Sequence, residues 1–289
     1  MKKKDGFPGQ NSYVIPDGIL QNIRKSPVFG DLHLTDIGYY PQARHHFRER
    51  PKGVNQTILI YTVSGSGKIM TGNNETRLIK DHFFIIPEGM PHAYSANQDD
   101  PWSIYWIHFS GVKAHHLAKP VLQPVPVVRS NTSRINERLN LFNEIFHNLK
   151  RGFSVEILEY VNLCLPGLIA SFTHLTQYRS VNEHFTNDPV SQSINFMLEN
   201  ISQKYKLVDL AKAVNLSKSH YSHLFIIRTG HSPIEYFIQL KIQYACRLLD
   251  ANDLTVADTA REAGFEDQFY FSRQFRKVMN MSPTQYRKR

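Results

Sequence analysis

The chain has 289 residues, of which 41% are apolar and 20% charged, the proportions of a globular protein with room for two domains. Its two cysteines, Cys164 and Cys246, lie far apart in the sequence. This excludes a disulfide framework and a Cys-x-x-Cys site, and it indicates free thiols in a reducing compartment. The formal net charge of +9, densest toward the C-terminal end, favours a polyanionic partner without proving one.

Residues 1 to about 30 are rich in glycine, proline and asparagine and predict an arm or a loosely packed lead-in. The basic start is followed by Asp5 and Pro8 instead of an apolar run, so no signal peptide is expected. No stretch approaches the roughly 18 apolar residues of a membrane span. We therefore expect a cytoplasmic protein without a membrane partner.

The middle of the chain predicts strands followed by two helices. From Leu32 to Phe109, short alternating or apolar runs are separated by turn residues, which is typical of an all-β barrel or sandwich. Residues 134–150 and 154–178 carry apolar side chains at helical spacing and predict an antiparallel pair. This pair either packs on the barrel or dimerises through an exposed apolar face, and the two interpretations are compatible. The polar residues 181–190 predict a linker.

The C-terminal segment contains an internal repeat. Ser222-His223-x-Phe225 recurs 50 positions later as Ser272-Arg273-x-Phe275. Each copy combines a small residue in a short helix (Ala211, then Ala260), a tight turn and a second amphipathic helix, as a helix-turn-helix does. A long helix over residues 233–249 joins the units and would set the second helices about one duplex turn apart. One subunit could then read two successive major-groove faces.

The second copy reads Ala260-x-x-Ala263-Gly264-Phe265-x-Asp267-Gln268-x-Tyr270-Phe271-Ser272-Arg273-x-Phe275-Arg276-Lys277. This stretch resembles the signature of the AraC/XylS family of bacterial transcription regulators, and the similarity extends over about Gln192 to Arg289. The resemblance implies that exposed residues of the two recognition helices bind DNA. These residues are Lys218, Ser219, Ser222 and His223 in the first helix, and Gln268, Phe269, Ser272, Arg273 and Arg276 in the second.

Three side chains of the second recognition helix suit base readout. Arg273 can donate a bidentate pair to guanine or bind a phosphate, Gln268 can pair with adenine, and Phe269 suits a thymine methyl group. Tyr221, Leu224, Phe225, Phe271 and Phe275 are expected inside, and Asp267 outside. The plain alternative for Arg273 and Arg276 is a solvated basic face.

Three segments ahead of the helical pair resemble the cupin-like, sugar-sensing domain of the same family: Arg48-Glu49-Arg50-Pro51, Pro87-Glu88-Gly89-Met90-Pro91-His92-x-Tyr94 and Trp102-x-x-x-Trp106. The resemblance implies that Arg50, His92, Tyr94 and Trp106 bind a ligand, with the indole stacking on a sugar ring. It also implies that the arm at Tyr13 to Pro16 closes the barrel mouth. Ile104 stands where arabinose-sensing relatives carry a polar residue, so the sugar or its pose would differ.

A group of histidines invites a metal interpretation: His45, His46, His82, His92 and His108. The first motif of metal-binding cupins needs His-x-His, whereas His45 and His46 are adjacent and would point to opposite faces of a strand. We therefore expect no metal and no cofactor.

These observations predict a two-domain α+β protein. Residues 1–180 would form a cupin-like β-barrel with a helical pair at about 134–178, which binds an effector and dimerises. Residues 191–289 would form an all-α DNA-binding domain with two helix-turn-helix units joined by a long helix. The expected function is a homodimeric, sequence-specific transcription activator that binds double-stranded DNA and a small effector, a sugar. RNA polymerase is a further candidate partner. Two alternatives stay open: a metal-dependent cupin enzyme fused to a DNA-binding domain, and a regulator without an effector.

Overall fold

The computed structural model describes residues 2–117, 122–130, 133–179, 188–251 and 254–289. The chain divides into two units, Met1–Ser180 and Val181–Arg289. Strands come first and helices follow, so the predicted class, a β-rich N-terminal part before an all-helical C-terminal part, is confirmed. Residues 181–187 of the expected linker lie outside the described residues, whereas Asp188 caps a helix that begins at Pro189.

Two antiparallel sheets build the first unit. Their strands, in chain order, are β1 (Asn11–Val14), β2 (His33–Tyr40), β3 (Phe47–Arg50), β4 (Thr57–Ser64), β5 (Ser66–Thr71), β6 (Asn74–Ile79), β7 (His82–Ile86), β8 (His92–Ala96), β9 (Ser103–Ser110) and β10 (Val125–Pro126). The larger sheet has the order β1-β2-β9-β4-β7-β10, and the smaller one the order β3-β8-β5-β6. The two sheets face each other, and together we call them the barrel.

Alternation along the strands gives the larger sheet two buried faces. In β4, Ile58 and Ile60 pack in the core between the sheets, while Leu59 and Tyr61 pack in a second core toward the helices. This explains why β4 reads as a nearly continuous apolar run instead of an alternating one.

The helices of the first unit cover the outer face of the larger sheet. They are α1 (Asp17–Arg24), α2 (Ala114–Leu117), α3 (Ile135–Leu149), α4 (Val155–Thr173) and α5 (Leu175–Tyr178). Phe142 of α3 and Leu165 of α4 are fully buried in the same core as the outer side chains of the sheet. In addition, the Leu34 N–H donates a 2.8 Å hydrogen bond to the buried Asn162 side chain of α4. The helical pair therefore packs on the barrel.

The expectation of a loosely packed N-terminal arm is wrong for much of that segment. β1 pairs with β2 over its whole length, and Ile15, Leu20 and Ile23 are buried. The glycines and prolines of the segment lie mostly at the turns between these elements, and composition alone hid the elements themselves.

The expectation that no segment could span a membrane is corrected by α4. This helix has 19 residues with a mean hydropathy of 1.4, so it is long and apolar enough to qualify by length and composition. The sequence criterion required about 18 apolar residues, whereas a high mean hydropathy is compatible with Glu156 and Glu159 near the start of α4. Its buried side chains belong to the core of the first unit.

In the described part of the second unit, all regular secondary structure is helical. The helices are α6 (Pro189–Glu199), α7 (Leu207–Ala213), α8 (Lys218–Thr229), α9 (Pro233–Ala251), α10 (Val256–Glu262), α11 (Gln268–Met279) and α12 (Pro283–Arg287). Two apolar cores mirror the sequence repeat, with Phe225 in one and Phe275 in the other. The long helix α9 contributes Phe237 to the first of these cores and Ile242 to the second. It therefore joins the two helix-turn-helix units.

Candidate nucleic-acid interface and ligand pocket

The second recognition helix, α11, buries one side and exposes the other. Phe271 and Phe275 are fully buried, and this fixes the rotation of the helix about its axis. The opposite side presents the predicted residues: Gln268, Phe269, Arg273 and Arg276 are exposed, and Ser272 is half-buried. Phe269 is 80% exposed, which is unusual for a large apolar side chain and fits a contact with an apolar base edge.

Asp267 is exposed as expected, but its carboxylate has a local role. It caps α11 by accepting a 2.8 Å hydrogen bond from the Phe269 N–H. An acidic cap also suits the positive end of the helix dipole. The Asp267 cap therefore fixes the start of the recognition helix at Gln268.

The first recognition helix, α8, has the same construction. The Ser217 hydroxyl caps it by accepting from the His220 N–H, and Tyr221 and Phe225 are fully buried. Of the predicted contact residues, Lys218, Ser219 and His223 are exposed and Ser222 is half-buried. Leu224, which was expected inside, is half-buried at the edge of the core.

A buried lysine that the sequence analysis did not single out ties the segment after α6 to the turn of the second helix-turn-helix unit. Lys241 on α9 is 5% exposed, and its Nζ donates to the main-chain oxygens of Ile201 at 2.7 Å and Ala263 at 2.9 Å. Ile201 follows α6 and Ala263 ends α10, so one ammonium group bonds carbonyls at two helix C-termini. Burial lowers the pKa of Lys241 to about 8.

Gly264 makes this junction sterically feasible. Its φ of +71° favours glycine, and a Cβ there would lie 2.3 Å from both Lys241 Nζ and the Ser202 carbonyl oxygen. Gly264 is therefore needed for the turn and also for the close contact of this turn with Lys241 and Ser202.

The interior of the barrel contains a cavity of about 200 Å³. Its wall mixes charged, polar and aromatic side chains: Asp5, Ser12, Val14, Asp36, Tyr40, His46, Arg48, Arg50, Gln56, Ile60, Tyr94, Ile104, Trp106 and His108. Gly38 of β2 leaves room for the Trp106 indole, because a Cβ there would lie 2.2 Å from the ring.

The structure brings three of the four predicted ligand residues into direct contact. Arg50 Nη1 donates to the Tyr94 hydroxyl at 3.1 Å and lies 3.2 Å from His92 Nε2. The Nδ1 atom of His92 lies 2.7 Å from the Met90 carbonyl oxygen, so it carries the proton and leaves Nε2 as an acceptor for Arg50. His92 is not among the residues lining the cavity and holds Arg50 in position, whereas Arg50, Tyr94 and Trp106 line it.

A polar cluster that the sequence analysis missed occupies another part of the wall. Asp36 Oδ2 accepts from Gln56 Nε2 at 2.9 Å and lies 3.5 Å from His108 Nδ1. Burial lowers the pKa of His108, and the neighbouring carboxylate opposes that shift. Arg48 was missed as well, although its alternation with Arg50 in a short strand was a usable signal.

The arm reaches both the cavity and the helical pair. Ser12 and Val14 of β1 line the cavity. The predicted closing segment, Tyr13 to Pro16, overlaps this stretch. Tyr13 lies between them in sequence and points the other way, with its ring 6.3 Å from that of Phe146 in α3.

Two of the five histidines singled out in the sequence, His46 and His108, line the cavity, and His92 contacts Arg50 beside it. His45 is exposed with a φ of +62°, whereas His46 is buried in the barrel. Burial lowers the pKa of His46 to about 3, so the ring is neutral at physiological pH. Within the described ranges, no group of three or more His, Cys, Asp or Glu side chains is placed to hold a metal ion.

Comparison with known proteins identifies both parts of the chain. The family described as AraC-like ligand binding domain matches residues 37–160, and a helix-turn-helix domain family matches residues 210–289. The MmsAB operon regulatory protein of Pseudomonas aeruginosa is 30% identical over 280 residues, which cover 95% of this chain and 89% of the relative.

Two more distant relatives are named for sugar operons. The lactose operon transcription activator of Staphylococcus xylosus is 24% identical, and the raffinose operon transcriptional regulatory protein of Pediococcus pentosaceus is 26% identical. Each alignment covers 80% of this chain and 84% of the relative. The chain thus belongs to the AraC family: it is a DNA-binding transcription regulator with a ligand-binding domain, and not an enzyme.

Proposed function

We propose that this chain is a cytoplasmic, sequence-specific activator that binds a small sugar in the barrel cavity and double-stranded DNA through α8 and α11. The observation that carries the proposal is the cavity itself, where Arg50 and Tyr94 offer polar contacts beside the Trp106 indole. The names of the lactose and raffinose operon relatives support a sugar, and the name of the former supports activation.

The strand β1 is the element through which the ligand acts. A sugar in the cavity would contact Ser12 or Val14, while Tyr13 packs on α3. Binding would favour one arrangement of β1 and thereby one arrangement of the helical pair. This is a population shift, and it requires different ligand affinities for the two arrangements.

In the DNA complex, the exposed sides of α8 and α11 lie in the major groove. Arg273 and Gln268 read bases, Phe269 contacts a thymine methyl group, and Arg276 and Lys218 bind phosphates. The contact surfaces also include Ser219, Ser222, His223 and Ser272.

The protein acts as a homodimer through α4, with RNA polymerase as a further partner on the promoter. Val155 is 73% exposed and Leu163 is 65% exposed on this helix, although its other side packs on the barrel. Two exposed apolar side chains two turns apart form a stripe that a second copy of the helix would cover.

Thermal unfolding of the full chain against pentoses, hexoses and their acids tests the proposal. A ligand present at 100 times its Kd adds about 2.7 kcal/mol to the free energy of unfolding. We expect stabilisation by one stereochemical series and no effect of the others. If no member stabilises the protein and DNA binding is unaffected, the chain is instead a regulator without a sugar effector.

A further inference from the structure

The barrel cavity holds two guanidinium groups that form no ion pair among the described residues. Arg48 and Arg50 are two positions apart in β3 and therefore lie on the same face of the strand, and both line the cavity. Arg50 bonds the His92 ring and the Tyr94 hydroxyl, and Arg48 lies beside the Tyr40 hydroxyl, so none of these partners is a carboxylate. Two positive charges thus meet in one partly enclosed space.

The two carboxylates in the cavity wall are bonded within their own clusters. Asp36 Oδ2 accepts from the Thr35 hydroxyl at 2.7 Å and from Gln56 Nε2 at 2.9 Å. Asp5 Oδ1 accepts from the Gly6 N–H at 2.9 Å and from Gln10 Nε2 at 2.5 Å, within the exposed arm. Neither lies within ion-pair distance of Arg48 or Arg50 in the described part of the chain.

Two buried N–H donors in the same wall also have no acceptor in the described structure. His46 is 2% exposed, and its Nδ1 accepts from Trp102 Nε1 at 3.2 Å, which leaves the proton on Nε2. His46 Nε2 and Trp106 Nε1 then have no hydrogen-bond partner among the described residues. A buried donor without an acceptor is costly, so a ligand that brings oxygen acceptors would relieve both.

We propose that the effector carries a carboxylate, which Arg48 and Arg50 bind in the cavity, so that the ligand is a sugar acid instead of a neutral sugar. The inference rests on the proposed function and names the chemical class of its ligand. A carboxylate accepts from guanidinium groups in short, charge-assisted hydrogen bonds, whereas a neutral hydroxyl leaves both positive charges uncompensated.

The size of the cavity selects a single sugar unit. Its volume of about 200 Å³ is below the ~300–1,000 Å³ of pockets that hold drug-sized ligands. A monosaccharide acid is therefore a better fit than an acid of a di- or trisaccharide.

The test is calorimetric titration of the full chain with matched ligand pairs: glucose and glucuronate, galactose and galacturonate, and arabinose and arabinonate. We expect at least one acid to bind, with a Kd at least tenfold below that of its neutral partner. A neutral sugar that binds as tightly as its acid would overturn the carboxylate inference and leave sugar sensing intact. Binding of no member of the panel would overturn both.

Two variants locate the carboxylate. Arg48→Gln and Arg50→Gln should each weaken binding of the preferred acid at least tenfold, to the level of its neutral partner. Arg77→Gln removes the same charge from an exposed position on β6, outside the cavity, and should leave the affinity unchanged. Equal losses in all three variants, or no loss in the first two, would contradict the proposal. Thermal unfolding without ligand shows which variants are folded. If only one of the two cavity variants folds, that variant is enough to test the proposal.

Discussion

Lys241 in the connecting helix donates a 2.9 Å hydrogen bond to the carbonyl oxygen of Ala263, at the turn of the second helix-turn-helix unit. The same Nζ bonds Ile201 beyond the first helix of the domain, 40 positions away in sequence. This buried ammonium group thus holds the turn ahead of α11 against the segment that follows α6. The placement of the two recognition helices decides which DNA spacing can be read.

Replacing this ammonium group should weaken DNA binding without removing any contact to DNA. Lys241→Met keeps a long, unbranched side chain and its apolar contacts, but it leaves buried carbonyl oxygens without their donor. We expect a cost of about 1–3 kcal/mol in the free energy of unfolding. We expect a loss of operator affinity larger than the loss of affinity for random DNA. Lys212→Met on the exposed surface of α7 is the matched control and should change neither quantity.

The same lysine predicts a rise in stability at alkaline pH. Burial lowers its pKa from 10.5 to about 8, so between these values the unfolded chain binds more protons than the folded one. The cost of burying the charge is full below pH 8 and disappears as the pH rises toward 10.5. In urea unfolding, the free energy of unfolding of the wild type should therefore rise relative to that of Lys241→Met between these pH values, by at most about 3 kcal/mol. A constant difference between the two proteins would refute the shifted pKa.

Arg273→Ala should separate base readout from phosphate binding. Loss of a bidentate contact with guanine costs about 1–3 kcal/mol on the operator and little on random DNA. Fluorescence anisotropy with both DNAs measures the two losses. Arg247→Ala, exposed on α9, removes the same charge outside the recognition helices. Equal losses of Arg273→Ala on both DNAs would mark a phosphate contact instead.

Gly38→Ala should block the ligand cavity. The added methyl group would lie 2.2 Å from the Trp106 ring, so the indole must move into the space that the ligand needs. We expect a destabilisation of about 1–3 kcal/mol and loss of stabilisation by the effector. Gly18→Ala adds the same methyl group in α1, where it meets nothing within 4 Å, and should keep the response. An unchanged effector response in Gly38→Ala would place the ligand elsewhere.

Leu163→Glu should weaken the dimer. A carboxylate in the proposed contact stripe of α4 would be buried against the partner, and we expect the dimer dissociation constant to rise at least tenfold, about 1.4 kcal/mol. Sedimentation measures the change, and Val28→Glu, which is 66% exposed in the same unit, is the control. A dimer that tolerates Leu163→Glu uses another surface.

Local signals were enough to predict most of the second unit. Ser217, Thr255 and Asp267 cap helices, and such caps can be found from sequence because each depends on residues within one turn. The repeated Phe225 and Phe275 likewise fell on buried faces that helical spacing defines. The exposed sides of α8 and α11 followed from these two facts.

Contacts between distant segments escaped prediction. The bonds of Lys241 span 22 and 40 positions, so nothing near it in sequence reveals them, and a lysine in a helix normally indicates a solvated position. In the barrel, Arg50 was recognised through family resemblance, and alternation along β3 places Arg48 on the same face. Asp36 and His108 enter the cavity wall only through the pairing of strands. The arm was mistaken for loose chain because β1 gains its stability from β2.

We expect a ligand in the barrel to control DNA binding by this chain. The most direct measurement is the affinity of the full chain for its operator, found by mapping bound sites across the genome, with and without the sugar acid that stabilises the protein. We expect the acid to change the operator affinity about five- to 150-fold, and we expect Arg50→Gln to abolish that change. An acid that binds the barrel with the expected affinity, yet alters neither operator affinity nor transcription from the bound promoter, would contradict it.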